Sequence, residues 1–323
     1  MRNFLPLLSA LALPFMLLLQ TVPAHAQATR TWVSGVGDDA NPCSRTAPCK
    51  TFAGAISKTA AGGEINCIDP GGFGALTVTK TITIDCANTE SGVLVAGTNG
   101  LSVSAGPGDV VTLRGLDIFG TGTGINGIVF NTGAALIVEK CTIREFKAAG
   151  ASSGFGILFQ PSGASALYVT DTQITNNGTG TTGGGIIVRP TGTGTAKASI
   201  NRVSANNNIS GITADGGSTT GLAGVTIRDS AAAGSSLRGF AAVTPASGGG
   251  IMFVFITRST GFNNGIGVNS VGPKSTIVVD TSAIVDNTTG LSASNGGTIL
   301  TYTNNNLIGN GTDGTPTGPL TPK

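Results

Sequence analysis

A short motif recurs seven times along most of this chain: a glycine, an apolar residue, any residue, and then an apolar or small residue. Gly127-Ile128-Val129-Phe130 is the first copy and Gly290-Leu291-Ser292-Ala293 is the last. The seven copies begin at Gly127, Gly156, Gly185, Gly211, Gly239, Gly265 and Gly290. Their spacing ranges from 25 residues (265 to 290) to 29 residues (127 to 156). Self-similarity at a nearly constant interval is typical of a solenoid, in which each repeat packs on its neighbours.

A second pattern follows each glycine motif after a polar loop. Two apolar residues with one residue between them are followed by two other residues and then by a second such pair, as in Val111-x-Leu113 with Leu116-x-Ile118. A period of two is typical of strands, and the slip between the pairs indicates a corner. The same alignment places Leu300 and Tyr302 in the last repeat. We therefore predict an all-β, right-handed parallel β-helix with three strands per rung over residues 64–311, its hand following from that of parallel crossovers.

The segment that leads into the repeats carries further short motifs. They are Thr51-Phe52, Ala55-Ile56, Gly62-Gly63-Glu64-Ile65, Pro70-Gly71 and Ile82-Thr83-Ile84. Together they resemble the opening of the pectin-lyase-like right-handed parallel β-helix proteins. With the later rungs, the resemblance covers nearly all of the chain after residue 26. It implies the fold more strongly than an activity, because that superfamily contains lyases, hydrolases, adhesins and uncharacterised secreted proteins.

The first 26 residues have the composition of a secretory signal. A basic start, Met1-Arg2-Asn3, precedes an apolar run, and Ala24-His25-Ala26 supplies small residues around a cleavage site. The apolar run is shorter than the ~20 residues that a membrane-spanning helix needs. We therefore predict that residues 1–26 are a signal peptide and that the protein is exported to the periplasm or the extracellular space, without a membrane span.

The remaining segments are predicted to flank one domain. Residues 27–63 would form a strand, a loop and an amphipathic helix from Thr51 to Ala61 that Gly62-Gly63 ends. This helix would cap the open end of the solenoid, because terminal repeats must be covered. Residues 312–323 contain three prolines and no apolar period, and they are predicted to be a flexible tail.

Five cysteines are present, and export makes disulfides plausible. Cys43 and Cys49 flank a short loop that a disulfide would close. Cys67 and Cys86 lie on consecutive early strands and are predicted to pair across adjacent rungs. Cys141 is left over and is interpreted as a buried free thiol. The chain has no Cys-x-x-Cys pair of the kind that binds zinc.

The charge balance argues against several classes of function. The chain has 18 Lys and Arg against 16 Asp and Glu, a net charge of +2. Nucleic-acid binding needs a concentrated basic face, which this composition does not supply. The single histidine, His25, would leave with the signal peptide, so the mature chain would have no imidazole for acid–base work or metal binding. No metal and no cofactor are predicted.

One row of side chains recurs three positions after the last apolar residue of each rung. It consists of Thr121, Phe146, Asn177, Asn208, Ser235, Asn264, Asn287 and Asn310. Asparagine tolerates left-handed backbone and bonds to backbone at turns, and rungs ~4.8 Å apart would let its amides bond one another. We predict that Asn177, Asn208, Asn264, Asn287 and Asn310 form a structural ladder. Some lie in Asn-x-Ser/Thr sequons, and glycosylation is the other interpretation.

A second row, at a corner of the rung, alternates in charge. It consists of Lys140, Asp171, Arg202, Asp229 and Arg258. Opposite charges on neighbouring strands attract each other by about 0.2–1 kcal/mol per pair. We predict that this row forms ion pairs between rungs and fixes their register. A binding stripe is the alternative interpretation.

In the pectin-lyase-like enzymes, a cleft along the glycine-motif strand holds carboxylates, which bind calcium or act as acid and base, with a basic residue nearby. The outward residues of this strand are predicted to be Val129, Leu158, Ile187, Thr213, Ala241, Gly267 and Ser292, with no carboxylate and no base. The next outward row is predicted to be Asn131, Gln160, Arg189, Asp215, Val243, Asn269 and Ser294. Arg189 and Asp215 are its charged members. They are predicted either to contact a glycan or to form one more ion pair, and no residue is assigned a catalytic role.

The sequence favours a secreted, non-catalytic protein with a structural or glycan-binding role, and polysaccharide is the partner that it suggests. One alternative is a polysaccharide lyase or glycoside hydrolase that acts on uronic-acid glycans. Another is a subunit that self-associates through the outward stripe Val129, Leu158 and Ile187, unless loops 144–154 and 175–184 cover it. The oligomeric state is left open.

Overall fold

The fold is described from a computed structural model that covers residues 27–321. The predicted signal peptide, residues 1–26, lies outside this range. Within it, the chain winds through three long sheets, and neighbouring strands in each sheet are parallel and come from successive rungs. Each rung contributes one strand to each sheet over most of the solenoid. The prediction of an all-β parallel solenoid with three strands per rung is confirmed, and its right hand stays a prediction.

Sheet 1 has twelve strands within the described residues. They are Ala28–Val33, Thr59–Cys67, Ile82–Asp85, Val110–Arg114, Ala135–Glu139, Ala164–Thr170, Thr195–Asn201, Leu222–Arg228, Ile251–Thr257, Ser275–Asp280, Thr298–Thr301 and Gly318–Pro319. Sheet 2, which carries the glycine motif, consists of Leu76–Val78, Leu101–Ser104, Asn126–Thr132, Phe155–Phe159, Gly184–Val188, Ser210–Asp215, Arg238–Val243, Ile266–Val271 and Thr289–Ser294. Sheet 3 consists of Gly71–Gly72, Ser91–Leu94, Leu116–Phe119, Thr142–Arg144, Gln173–Thr175, Ser204–Asn206, Ala231–Ala233, Thr260–Phe262, Ala283–Val285 and Asn306–Ile308.

The core is a column of apolar side chains that runs the length of the solenoid. In sheet 1, Leu136 and Val138 point inward and are fully buried, while Ile137 between them faces out. This alternation repeats from rung to rung because successive side chains of a strand point to opposite faces. Phe130 and Phe159 stack inside sheet 2 with their ring centroids 4.6 Å apart. The period-two pattern of the sequence thus places the core correctly over most rungs.

Two rungs differ from the predicted register. The Thr298–Thr301 strand of sheet 1 buries Ile299 and Thr301 rather than Leu300 and Tyr302, because Ile299 pairs with Ile277. In sheet 2, the glycine that stacks on Gly239 is Gly267 rather than Gly265. The outward residue of that rung is therefore Asn269, which pairs with Ala241, and not Gly267.

The glycines of sheet 2 and the predicted asparagine ladder form one structural device. A Cβ added at Gly239 would lie 2.8 Å from Asn264 Nδ2, and one added at Gly267 would lie 2.8 Å from Asn287 Nδ2. Gly156, Gly185 and Gly290 face Asn177, Asn208 and Asn310 in the same way. Glycine recurs in the motif because backbone of the next rung, core side chains and, at these five positions, the asparagine amide occupy the space that a side chain would need.

The asparagines bond along the solenoid axis, one rung to the next. Asn287 Oδ1 accepts the backbone N–H of Asn264 at 2.9 Å and its Nδ2 at 2.9 Å, and Asn264 Nδ2 also donates to Ala232 O at 2.9 Å. Asn177 and Asn208 are joined in the same manner. Asn177, Asn208, Asn264 and Asn287 are buried, so these amides satisfy backbone groups inside the turn.

The row of alternating charges lies at the corner between sheets 1 and 3. Lys140, Asp171, Arg202, Asp229 and Arg258 all have φ between 47° and 54°, the left-handed region. Arg202 donates two hydrogen bonds to Asp171, at 2.6 and 2.8 Å, and Arg258 donates two to Asp229, at 2.8 and 2.9 Å. These bonds hold the pKa values of both carboxyl groups below their usual range. The row therefore forms bidentate ion pairs between adjacent rungs.

Cys141 occupies a position that serine or threonine occupies in other rungs. Its Sγ donates to Glu139 O at 3.3 Å, as Ser230 Oγ donates to the carbonyl two residues before it at 2.7 Å. The Cys141 N–H in turn donates to Thr172 Oγ1, at 3.4 Å. Cys141 is buried and free, and desolvation raises the pKa of its thiol to about 12. The thiol thus stands in for a hydroxyl in a buried row.

The N-terminal segment is held by two disulfides. Cys43 is bonded to Cys49, with Cα atoms 4.6 Å apart, and Cys67 is bonded to Cys86, with Cα atoms 4.9 Å apart. The second bond joins the ends of successive strands of sheet 1. Both pairs are those expected from the sequence.

The helix of this segment is shorter than predicted. It runs from Phe52 to Lys58, and the Thr51 side chain accepts the N–H of Gly54 as its N-cap. Phe52 packs edge-on against Phe73 with centroids 5.2 Å apart. Thr59 begins a strand instead of continuing the helix, because the Thr59–Cys67 segment pairs with Ala28–Val33. Gly62 and Gly63 therefore lie in a strand rather than ending a helix, and the capping role of the helix stays a prediction.

Residues after 311 are bonded to the last rungs of the solenoid. Leu291 N donates to Asp313 O at 2.9 Å, and Thr317 N and Leu320 N donate to carbonyls of the Thr298–Thr301 strand at 2.7 Å each. The prediction of a loose tail does not account for these bonds. A strand at the end of a sheet presents unpaired backbone groups. The tail bonds to some of these groups on the Thr298–Thr301 strand, although its sequence has no apolar period. The predicted domain boundaries otherwise stay predictions.

Candidate functional site

The outer face of sheet 2 was the expected position of a functional cleft. Its central row is Ser102, Val129, Leu158, Ile187, Thr213, Ala241, Asn269 and Ser292. A flanking row on one side is Asn126, Phe155, Gly184, Ser210, Arg238, Ile266 and Thr289. The face therefore has an apolar half toward the N-terminus and a polar half toward the C-terminus.

The apolar half is buried. Val129, Leu158, Ile187 and Phe155 form a cluster outside the main core, and none is more than 7% exposed. The loop before Phe155 folds back here, since Asn126 Nδ2 donates to Ser152 O at 3.0 Å. The stripe that the sequence offered for self-association is therefore not an exposed surface. Self-association through this stripe therefore lacks an exposed surface. The other interpretation, that a loop covers the stripe, agrees with its burial.

Arg189 directly follows the strand Gly184–Val188, and Asp215 ends the next strand of sheet 2. The two side chains do not form the ion pair that was one of the two predicted roles. The Arg189 guanidinium donates to Ala151 O at 3.3 Å and to Ser152 Oγ at 3.1 Å, and its Cζ lies 5.9 Å from the Phe155 ring centroid. Asp215 Oδ1 accepts the N–H of Gly217 at 2.8 Å. Arg189 thus fastens the covering loop, and Asp215 caps a turn at the edge of the polar half.

The polar half is built from Thr213, Arg238 and Asn269. Arg238 Nη1 donates a long hydrogen bond, 3.4 Å, to Asn269 Oδ1, while Arg238 Nε is buried without a partner. Thr213 Oγ1 is also buried without a partner, and Thr213 and Asn269 are 8% and 6% exposed. Burial lowers the pKa of the Arg238 guanidinium, and the nearby Asp215 carboxylate partly opposes this shift. The site therefore holds a desolvated cation with unused donor capacity.

Arg238 was missed by the sequence analysis. It directly precedes Gly239 of the repeat, and only the residues after each glycine were read as outward. The equivalent position three rungs earlier is occupied by Phe155, which joins the outer apolar cluster. A signal was present, because Arg238 is the one charged residue among those that directly precede a glycine of the motif.

Charged groups also converge at the edge of sheet 3. A groove of about 440 Å³ is lined by residues that include Glu90, Asp117, Lys140 and Arg144. Arg144 donates to both oxygens of Asp117, at 3.1 and 2.8 Å, and its Cζ lies 3.9 Å from the Phe119 ring centroid. The Asp117 carboxylate and the Arg144 guanidinium are therefore paired with each other within this groove.

Within residues 27–321, His, Cys, Asp and Glu side chains do not gather in groups of three or more that could hold a metal ion. The same part of the chain has no helix long and apolar enough to cross a membrane.

Comparison with other proteins finds similarity to solved structures. No protein-family model matches the chain, and no curated protein matches it. Similar solved structures include pectate lyase Pel9A, with 15% identity, a TM-score of 0.46 and coverage of 85% of this chain and 68% of that one. The Dettilon tailspike protein has 14% identity and a TM-score of 0.42, over 80% of this chain and 63% of its own. A rhamnogalacturonan lyase has 11% identity and a TM-score of 0.27, over 72% and 82%.

At 15% identity or less the similarity is one of fold alone. It assigns no ligand and no activity to this chain.

Proposed function

We propose that this chain is an exported protein that binds an acidic, hydroxyl-rich glycan on the polar half of the outer face of sheet 2, without cleaving it. The observation that carries the proposal is the environment of Arg238. Its Nε and the neighbouring Thr213 Oγ1 are buried and unpartnered, which is rare because such groups cost free energy. Neither atom is open to solvent, but the Arg238 side chain as a whole is only partly buried, and an anion that reaches its guanidinium would compensate its charge.

The chemistry of the site favours a carboxylate or sulfate group on a sugar. A guanidinium binds planar and tetrahedral oxyanions through paired N–H donors. Asn269 is held close to Arg238 and adds an amide that both donates and accepts. Asp215 at the edge can accept hydrogen bonds from sugar hydroxyl groups. Arg189 is less available to contact a ligand than the sequence predicts, because its guanidinium is hydrogen-bonded to the covering loop.

A binding role is favoured over hydrolysis because the described part of this face carries few carboxylates. Its central row contains none, and Asp215 ends the adjoining row. Glycoside hydrolysis usually needs two carboxyl groups at a set separation. Two disulfides in the N-terminal segment are in keeping with export to an oxidising compartment.

The test is calorimetric binding of oligogalacturonides, compared with neutral galactose oligomers of equal length. Arg238→Met keeps the apolar stem and removes the charge. Because a hydrogen bond to a charged group contributes ~1.5–3 kcal/mol, binding should weaken at least about tenfold. The same variant should unfold at an equal or higher temperature, since it removes an unpaired buried cation. Arg45→Met is the matched control, an exposed arginine in the N-terminal loop, and should bind normally.

Unchanged affinity in Arg238→Met, or no binding of any acidic oligomer by the natural protein, would overturn the proposal. Appearance of unsaturated or reducing sugar ends during incubation would instead support the lyase or hydrolase alternative.

A further inference from the structure

The outer face of sheet 1 carries a groove. It lies on a different side of the solenoid from the Arg238 site, which is on sheet 2. Its volume is about 340 Å³, and its lining includes Tyr168, Lys197, Leu222, Gly224 and Phe253. This size falls within the ~300–1,000 Å³ of small-ligand sites. The groove runs along the solenoid axis across four consecutive strands, Ala164–Thr170 to Ile251–Thr257.

Two aromatic side chains bound the groove along the axis. Tyr168 lies three strands before the strand of Phe253, and the two are 48% and 42% exposed. With strands ~4.8 Å apart, the aromatic residues are separated by roughly 14 Å along the axis. Aromatic rings that stand free on a protein surface expose large apolar faces. These two are positioned to pack against both ends of one short ligand.

The floor between the aromatic residues is small and polar. Ser199 and Thr226 pair in register below Tyr168, and both side chains are exposed. Gly224, between Lys197 and Phe253 in the adjacent row, leaves a notch, since a Cβ added there would meet nothing within 4 Å. Two hydroxyl groups, the Lys197 ammonium and the Tyr168 phenol therefore surround an open space.

We infer that this groove binds a short neutral oligosaccharide. Sugar rings present C–H faces that pack on aromatic rings, and hydroxyl edges that exchange hydrogen bonds with Ser, Thr and Lys side chains. Lys197 is the charged residue of the lining and is exposed to water, so its ammonium needs no anionic partner. A second copy of the chain fits less well, because a stable interface buries ~800 Å² per partner and this groove is small with a polar floor.

The experiment fills the notch without disturbing the fold. Gly224→Leu places a side chain in open space at an ordinary backbone conformation, so the variant should fold with unchanged or greater stability. The matched control is Gly108→Leu, where an added Cβ also meets nothing within 4 Å. A panel of neutral oligosaccharides is screened on the natural protein, and hits are measured by calorimetry. Gly224→Leu and Tyr168→Ala should each weaken binding about tenfold or more, and Gly108→Leu should not.

The two sites are distinguished by their variants. Arg238→Met should leave neutral-sugar binding intact, and Gly224→Leu should leave acidic-glycan binding intact. The inference is overturned if no neutral oligosaccharide binds, or if Gly224→Leu binds as the natural protein does. It is also overturned if sedimentation shows a dimer that Gly224→Leu dissociates, which would identify a second copy as the occupant.

Discussion

Ser235 interrupts the row of asparagine side chains that joins the rungs. In the rungs that follow, Asn264, Asn287 and Asn310 each accept the backbone N–H of the rung before at 2.9 Å. Ser235 is too short to reach Asn208, and its buried Oγ has no partner. The motif glycine that precedes Ser235 is Gly211, as Gly239 precedes Asn264. The chain thus carries a gap in an otherwise regular hydrogen-bonded row.

We expect Ser235→Asn to close this gap. The new amide would accept the N–H of Asn208 and donate to the backbone of the preceding rung, as its counterparts do. One net hydrogen bond contributes about 1 kcal/mol, so the free energy of unfolding in urea should rise by about that amount. Ser236→Asn, an exposed neighbour, is the control and should change it little. A loss of stability in Ser235→Asn would show that the rung lacks room for the amide.

At the residue scale, the sequence predicted which asparagines matter but only part of their role. The left-handed backbone belongs to the residue before each ladder asparagine, as at Asn176, Asn207 and Asn263, with φ of 57°, 55° and 53°. Asn177 and its equivalents point inward instead. Two asparagines are adjacent in each of these turns. The first has the left-handed backbone and the second supplies the inward side chain, and spacing alone does not distinguish the two roles.

The individual strand and its turn explain why the motif contains glycine at all. Gly239 stacks on Gly267, and the Asn264 amide packs against both the strand and the turn that follows it. The glycine of a strand and the asparagine of the ladder are therefore needed together, although they lie far apart in the sequence. The element is stable because a missing side chain in one sheet makes room for a hydrogen-bonded amide at the next corner.

A methyl group at this position should be costly. Gly239→Ala would place a Cβ 2.8 Å from Asn264 Nδ2 and 2.9 Å from Gly267 O. Overpacking of this kind destabilises by about 1–3 kcal/mol, which urea unfolding would detect. Gly224→Ala is the matched control, a strand glycine whose added Cβ meets nothing. Equal effects of the two substitutions would argue that backbone entropy, rather than the amide, accounts for the cost of replacing the motif glycine.

At this scale the sequence predicted strands well and their register less well. The copy at residues 265–268 contains two glycines, each followed by an apolar residue, and both fit the motif. Contact with Asn287 selects Gly267, and that contact crosses between sheets. The sequence suggests that the loop before Phe155 covers the stripe but does not predict its contacts, since a loop has no period and is held by single bonds such as that from Arg189 to Ser152.

The whole molecule has a one-dimensional core with two ends that must be closed. The C-terminal end retains an apolar cavity of about 180 Å³, lined by residues that include Leu291, Ile299, Leu307 and Pro316. Pro316 comes from the segment after residue 311 and lies over this end. Since each rung packs mainly on its neighbours, stability lost at an end is expected to spread inward gradually.

Removal of residues 312–323 should therefore loosen the C-terminal rungs first. The truncated chain would lose the bonds from Thr317 and Leu320 to the Thr298–Thr301 strand and would expose Ile299, which is fully buried. Hydrogen exchange should speed up in residues 275–311 and stay unchanged before residue 200, and the truncated protein should aggregate more readily because an apolar end is open. Thr317→Val, which removes a hydroxyl bonded to Ile299 N at 3.0 Å and Ile299 O at 2.9 Å, should show a weaker effect at the same place. Uniform exchange along the truncated chain would instead indicate that the solenoid unfolds as one cooperative unit, with the tail contributing no local closure.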